Sequence, residues 1–116
     1  MNIISVFGVI GSRTFTDYDL VKKELDKYVI SKIVSGGAKG ADSLAEKYAH
    51  ENNIPVEIFK PDWSLGRHAG LLRNKTIVEN SDTLIAFWDG VSKGTLSSIK
   101  YGEQYGKQTI IVRNNC

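Results

Sequence analysis

The chain reads as a doubly wound α/β fold: about five mostly parallel strands in one sheet, with helices on both faces. Two observations predict it. Short apolar runs alternate with segments of helical spacing in the order β-α-β-α-β-α-β-α-β, and strict alternation with helical crossovers calls for a parallel sheet. The runs are apolar nearly throughout rather than at every second position, as strands covered on both faces are. Five strands are too few for an eight-stranded barrel. At 116 residues and 41% hydrophobic content, the whole chain, 1–116, has the size of one domain with a core of its own.

Each element follows in turn. Residues 3–10 are the first strand, ending in Gly11-Ser12-Arg13. Thr16 with Asp19 matches a capping box; Val21, Leu25, Tyr28 and Val29 then recur at helical spacing, with Lys22, Lys23, Glu24, Asp26 and Lys27 on the wet face. Residues 32–35 are the second strand. The turn Ser35-Gly36-Gly37-Ala38-Lys39-Gly40-Ala41-Asp42 opens a helix that runs to about Glu51. Residues 54–59 are a third strand, and Pro55 suits it to an edge because proline cannot donate to a ladder. A loop at 61–66 leads to a helix from about Arg67 to Glu79. Residues 82–88 are a fourth, central strand. After the second glycine-rich turn, 89–95, a helix with Leu96 and Ile99 inward ends near Gly106, a favoured C′ residue. Residues 108–112 close the sheet, and Arg113 to Cys116 are tail.

The totals exclude several classes. A net charge of +2 with mixed signs is too mild to argue for duplex DNA binding. The single cysteine, Cys116, allows no internal disulfide, which fits a reducing compartment. Residues 3–10 lack a basic leader and a cleavage site and are too short to cross a bilayer; a cytoplasmic protein without membrane attachment is expected. His50 and His68 are not spaced with cysteines or carboxylates as metal ligands are. No metal and no cofactor are predicted.

In sheets of this kind ligands bind beyond the carboxyl ends of the strands, where strand order reverses. The chemically unusual residues fall there. Gly11, Ser12 and Arg13 follow the first strand. Gly36, Gly37, Lys39, Gly40 and Asp42 follow the second; Asp62, Trp63, Arg67, Arg73 and Asn74 follow the third; Asp89, Gly90, Ser92, Gly94 and Thr95 follow the fourth. A glycine turn between strand and helix lets a ligand approach the backbone and aims free N–H groups and partial positive charge at it, which suits phosphate. The same glycines also suit a tight turn with no ligand. Asp42 and Thr95 are equally good helix caps. Either Arg67 or Arg73 turns inward, Lys39 suits solvent, and Trp63 and Trp88 either stack on a base or fill the rim. No G-x-G-x-x-G and no P-loop occurs.

Gly11-Ser12-Arg13 with Asp17, Gly36-Gly37-Ala38-Lys39-Gly40-Ala41-Asp42, Arg73-Asn74, and Phe87-Trp88-Asp89-Gly90 with Ser92-Lys93-Gly94-Thr95 together resemble the YspA-like branch of the SLOG superfamily. That superfamily groups the Rossmann-like domains of DprA (Smf) and of the LOG enzymes. The resemblance spans nearly the whole chain. It implies a Rossmann-like fold, a site for a nucleotide or nucleotide-derived ligand, and a bacterial or phage source. LOG-type phosphoribohydrolases carry P-G-G-x-G-T-x-x-E; here Ser98 stands where that glutamate would be, and a hydroxyl cannot stabilise an oxocarbenium ion as a carboxylate can.

The primary expectation is therefore a protein that senses or sequesters a phosphate-bearing nucleotide-type small molecule. Gly36, Gly37 and Gly40 would hold phosphate, Arg13 and Arg73 or Arg67 would pair with it, Ser12 and Thr95 would donate hydroxyl bonds, and Asp42 or Asp89 would take a ribose hydroxyl. An alternative is a nucleoside or nucleotide hydrolase with Asp42 or Asp89 as acid/base. A second alternative is single-stranded nucleic-acid binding. A homodimer is compatible with all three.

Overall fold

A computed structural model describes residues 5–113. Five strands form one sheet in the order β3-β2-β1-β4-β5: β1 Val6–Gly11, β2 Lys32–Ser35, β3 Val56–Ile58, β4 Thr83–Trp88 and β5 Gln108–Arg113. Every neighbouring pair is parallel. The helices are α1 Tyr18–Leu25, α2 Ala41–Glu51, α3 Ala69–Glu79 and α4 Lys93–Gln104, with a one-turn 3-10 helix at Trp63–Leu65. The predicted start of the first strand at Ile3 and Ile4, and Cys116, lie outside the described residues.

Side-chain alternation along the strands builds two cores. Phe7 and Val9 of β1, Ile33 of β2 and Ile85 and Phe87 of β4 meet Val21 and Leu25 of α1 and Ala41, Ala45, Tyr48 and Ala49 of α2. The opposite face offers Ile10, Val34, Leu84 and Ala86 to Ile77 and Val78 of α3 and Ile99 of α4. Thus α1 and α2 cover one face and α3 and α4 the other, the doubly wound arrangement. β1 and β4 lie side by side at the centre, and strand order reverses between them. No helix among the described residues is long and apolar enough to cross a membrane.

Several boundaries differ from the sequence reading, each for a local reason. The α1 cap is Asp17, not Thr16; the Asp17 carboxylate accepts the Leu20 N–H at 3.1 Å, and a carboxylate suits the positive end of a helix. That helix stops at Leu25. Tyr28 then packs its ring against Phe7 at 5.1 Å, while Val29 is 82% exposed. The helix predicted from about Arg67 begins at Ala69, because Gly66 takes a positive φ of 91° and ends the preceding turn. β3 shortens to the three residues after Pro55 and lies at the sheet edge, the position that the proline suits. Gly106 occupies C′ of α4 with φ 68°, its N–H on the Glu103 carbonyl and that of Lys107 on Gly102, a Schellman closure.

Candidate functional site

A cavity of about 470 Å³ opens at the carboxyl ends of β1 and β4. Segments distant in sequence build it: the loop after β1, the turn after β2, α3 with the residue pair before it, and the start of α4. Of the residues singled out by sequence, Gly11, Ser12, Arg13, Asp42, Arg67, Arg73, Asn74, Asp89, Ser92, Gly94 and Thr95 line it. Gly36, Gly37, Lys39, Gly40 and Gly90 do not. Both Arg67 and Arg73 face the cavity, where sequence offered one or the other.

Ser12 organises the floor. It is 1% exposed, its N–H donates to the Phe87 carbonyl at 3.0 Å, and its own carbonyl accepts the N–H groups of Phe15 and Ala41 at 3.1 and 3.2 Å. Its hydroxyl oxygen accepts the Asp89 N–H at 3.1 Å. One residue therefore ties the β1 loop to the end of β4 and to the start of α2. Thr95 Oγ1 donates to Ser92 Oγ at 3.1 Å, so both hydroxyls expected to serve a ligand are engaged by the chain.

The glycine turn is engaged too. The Ala38 N–H donates to Asp42 Oδ2 at 3.2 Å, and the Gly36 N–H is directed at the same carboxylate. Asp42 thus fills, with the protein's own charge, the anion-binding position that a turn of this type creates. Burial pushes its pKa up to about 6, while the Ala38 N–H, the Arg73 charge and the Gly36 N–H pull the other way. Gly40 stands against the Ser12 and Arg13 carbonyls, Gly37 against Ile58, and Gly90 against the Arg113 guanidinium. These glycines secure close packing between loops rather than a wall of the cavity.

The start of α4 is differently placed. Asp89 Oδ1 accepts the Val91 and Ser92 N–H groups, both at 2.8 Å, and these bonds, Ser92 first, hold its pKa below the usual carboxylate value. Ser92 caps the helix, taking the Thr95 N–H at 3.4 Å. The Lys93 and Gly94 N–H groups belong to the first turn and have no intrahelical acceptor, and Gly94 lines the cavity.

The arginines supply the charge. Arg73 is half-buried; its Nη1 donates to the Gly36 carbonyl and its Nε to Asn74 Oδ1, both at 2.8 Å. Burial lowers its pKa, Asp42 offsets part of that, and the like charge of Arg13 lowers it further. Arg13 and Arg67 are exposed. Every salt bridge found among the described residues uses a lysine distant from the cavity. Sequence reasoning did not single out Thr14, Ala38 or Leu71 as lining residues. Ala38 lay inside the glycine motif, and nothing in the type of the other two marks them.

A family model described as YspA, cpYpsA-related SLOG family matches residues 9–66, half of the chain. The chain belongs to this SLOG family. The matched residues run from β1 through the glycine turn to the end of the 3-10 turn, and so include two of the loops that wall the cavity. This SLOG domain is similar to the Gene 61 protein of Mycobacterium phage D29, 32% identical over 110 residues that cover 84% of this chain and 88% of that protein. Its fold is similar to that of DNA processing protein A from Helicobacter pylori, a structure described for its single-stranded DNA binding mode. That match has a TM-score of 0.66 and 23% identity, and covers 96% of this chain and 66% of the other.

Proposed function

We propose that the chain binds a nucleotide or nucleotide-derived small molecule, as a sensor or sequestering protein, with the ligand's phosphate held in the cavity by arginine. The observation that carries this is the convergence of Arg13, Arg67 and Arg73 on one cavity with no carboxylate in a salt bridge to any of them among the described residues. Half-burial disfavours the Arg73 charge more than the Asp42 carboxylate restores it, the Arg13 charge adds to that cost, and an anion in the cavity relieves both. Guanidinium groups match phosphate oxygens in bidentate fashion. The open first turn of α4 adds N–H donors on the same side. Ser98, 1% exposed and donating to the Gly94 carbonyl at 3.2 Å, puts a hydroxyl rather than a carboxylate beside that turn, which favours binding over bond cleavage.

A second reading has an observation behind it. The fold neighbour is described for binding single-stranded DNA, and exposed Arg13 and Arg67 at the mouth suit a strand whose phosphate enters the same cavity. Salt separates the two. A strand that releases counterions loses affinity linearly in log–log form, with a slope that grows with the number of phosphates contacted. A mononucleotide shows a shallow slope.

The experiment is native mass spectrometry of freshly purified protein, followed by calorimetric titration with nucleoside phosphates, ribose 5-phosphate and short oligodeoxynucleotides. A retained phosphate-bearing molecule, or micromolar binding of a mononucleotide with shallow salt dependence, supports the small-molecule reading. Tight oligonucleotide binding without mononucleotide binding replaces it with the second.

A further inference from the structure

The two tryptophans of the chain are in unlike surroundings. Trp88 ends β4, donates its indole N–H to the Ser92 carbonyl at 3.1 Å, and is covered by the Arg113 guanidinium 5.4 Å from the ring centre. It is part of the turn that opens α4. Trp63 is 62% exposed, and no aromatic ring or cation stands over it among the described residues.

Trp63 is nevertheless held. Asp62 Oδ1 accepts the Ser64 N–H at 3.1 Å and the Ser64 hydroxyl at 2.5 Å. The Gly66 N–H donates to the Trp63 carbonyl at 3.1 Å, and the Ala69 N–H to that of Gly66 at 3.2 Å. The backbone beneath the ring is therefore a closed turn joined to α3. A Cβ on Gly70 would lie 3.8 Å from Cη2 of the indole, and Gly70 and Leu71 both line the cavity. The far edge of the ring thus adjoins the cavity wall. Inside, the lining contains no aromatic side chain. A base-bearing ligand whose phosphate sits among the arginines has its aromatic partner at the rim.

We infer that Trp63, beside Gly70 and Leu71, is a base-binding subsite on which the ligand's planar nucleobase stacks, next to the arginine-lined cavity that takes its phosphate. This rests on the nucleotide reading of the cavity. It adds that the ligand carries an aromatic base and that the base lies on the α3 side, not on the β5 side where Trp88 is already covered. Stacking tolerates any base, because each has a π face, so Trp63 selects for the presence of a base and not for its identity.

The test titrates the parent, Trp63→Ala and Trp63→Phe with the nucleoside 5′-monophosphates and with ribose 5-phosphate, and measures self-association by sedimentation. Loss of one base–aromatic stack weakens binding about five- to hundredfold. The expected result is a loss of that size for nucleotides in Trp63→Ala, recovery of most of it in Trp63→Phe, and unchanged ribose 5-phosphate affinity throughout. Ribose 5-phosphate binding the parent as tightly as nucleotides leaves the cavity reading standing and overturns the Trp63 subsite. Equal weakening of both probes, or a dimer abolished by Trp63→Ala, also overturns it. If no phosphate compound binds the parent, the cavity reading fails and the subsite with it.

Discussion

Arg73 on α3 donates from Nη1 to the Gly36 carbonyl at 2.8 Å, so the helix that begins after the third strand is pinned to the turn that follows the second. The bond explains the glycine. A Cβ at position 36 would lie 2.8 Å from the Arg73 Cζ and 2.9 Å from Asp42 Oδ2, too close for either to stay. Gly36→Ala is expected to drive the guanidinium off the carbonyl and leave a buried acceptor without its donor, at a cost of about 1–3 kcal/mol. Urea unfolding measures it; an unchanged midpoint and slope would mean that Arg73 re-pairs freely elsewhere.

Arg13 presents the opposite case. It is exposed and makes no hydrogen bond or ion pair among the described residues, yet it lines the cavity beside Arg73. Arg13→Ala is expected to weaken phosphate-ligand binding by more than about 1.5 kcal/mol, the scale of a hydrogen bond to a charged group, with Tm nearly unchanged. Calorimetry and a thermal melt on the same samples check both halves. Equal affinity in mutant and parent removes Arg13 from the site.

Asp42 makes stability depend on pH. Its folded pKa is about 6 against 3.8 for the free carboxyl, so between these values the folded state binds more protons than the unfolded state. The contribution of this group is therefore fully present below about pH 3.8 and is lost as pH rises through about 6. The span corresponds to ~3 kcal/mol at most. Asp42→Asn does not titrate there. The stability of the parent minus that of Asp42→Asn is expected to fall between pH 4 and pH 7, by unfolding at matched salt. A difference that is flat, or that rises with pH, contradicts the assignment.

The sheet was legible because its signal is local. Apolar runs such as residues 82–88 and helical spacing such as Ala41, Ala45 and Ala49 survive without knowledge of the partner. So was the convergence of Arg13, Asp42, Asn74 and Asp89, since parallel α/β topology alone sends their loops to one edge. The direction of a backbone N–H was not legible. Gly36 read as a donor to a ligand, but the carboxylate of Asp42 reaches back to it and to Ala38, and a side chain a few residues on looks the same in sequence whether it caps its own turn or faces solvent. The two tryptophans were likewise indistinguishable until Arg113, at the far end of the chain, was placed over one of them.

Gly40 combines a backbone conformation closed to side chains with a close contact between two loops that wall the cavity. Its φ is 78°, and a Cβ there would meet the Ser12 carbonyl oxygen and lie 2.6 Å from the Arg13 carbonyl carbon. Gly106 has a similar φ of 68° but open space around it. Both positions resist a side chain through their positive φ, and Gly40 the more, because its ψ of −129° lies outside the left-handed well that single residues visit. Only Gly40→Ala must also push apart the loop that carries Arg13 and the start of α2, where Ala41 donates to Ser12 at 3.2 Å. Gly40→Ala is expected to lose more than ~2 kcal/mol of stability, at least about twice the loss in Gly106→Ala, and to weaken ligand binding as well. Equal losses in the two variants, with binding intact, would show that the contact between these loops yields at little cost and that the cavity does not depend on it.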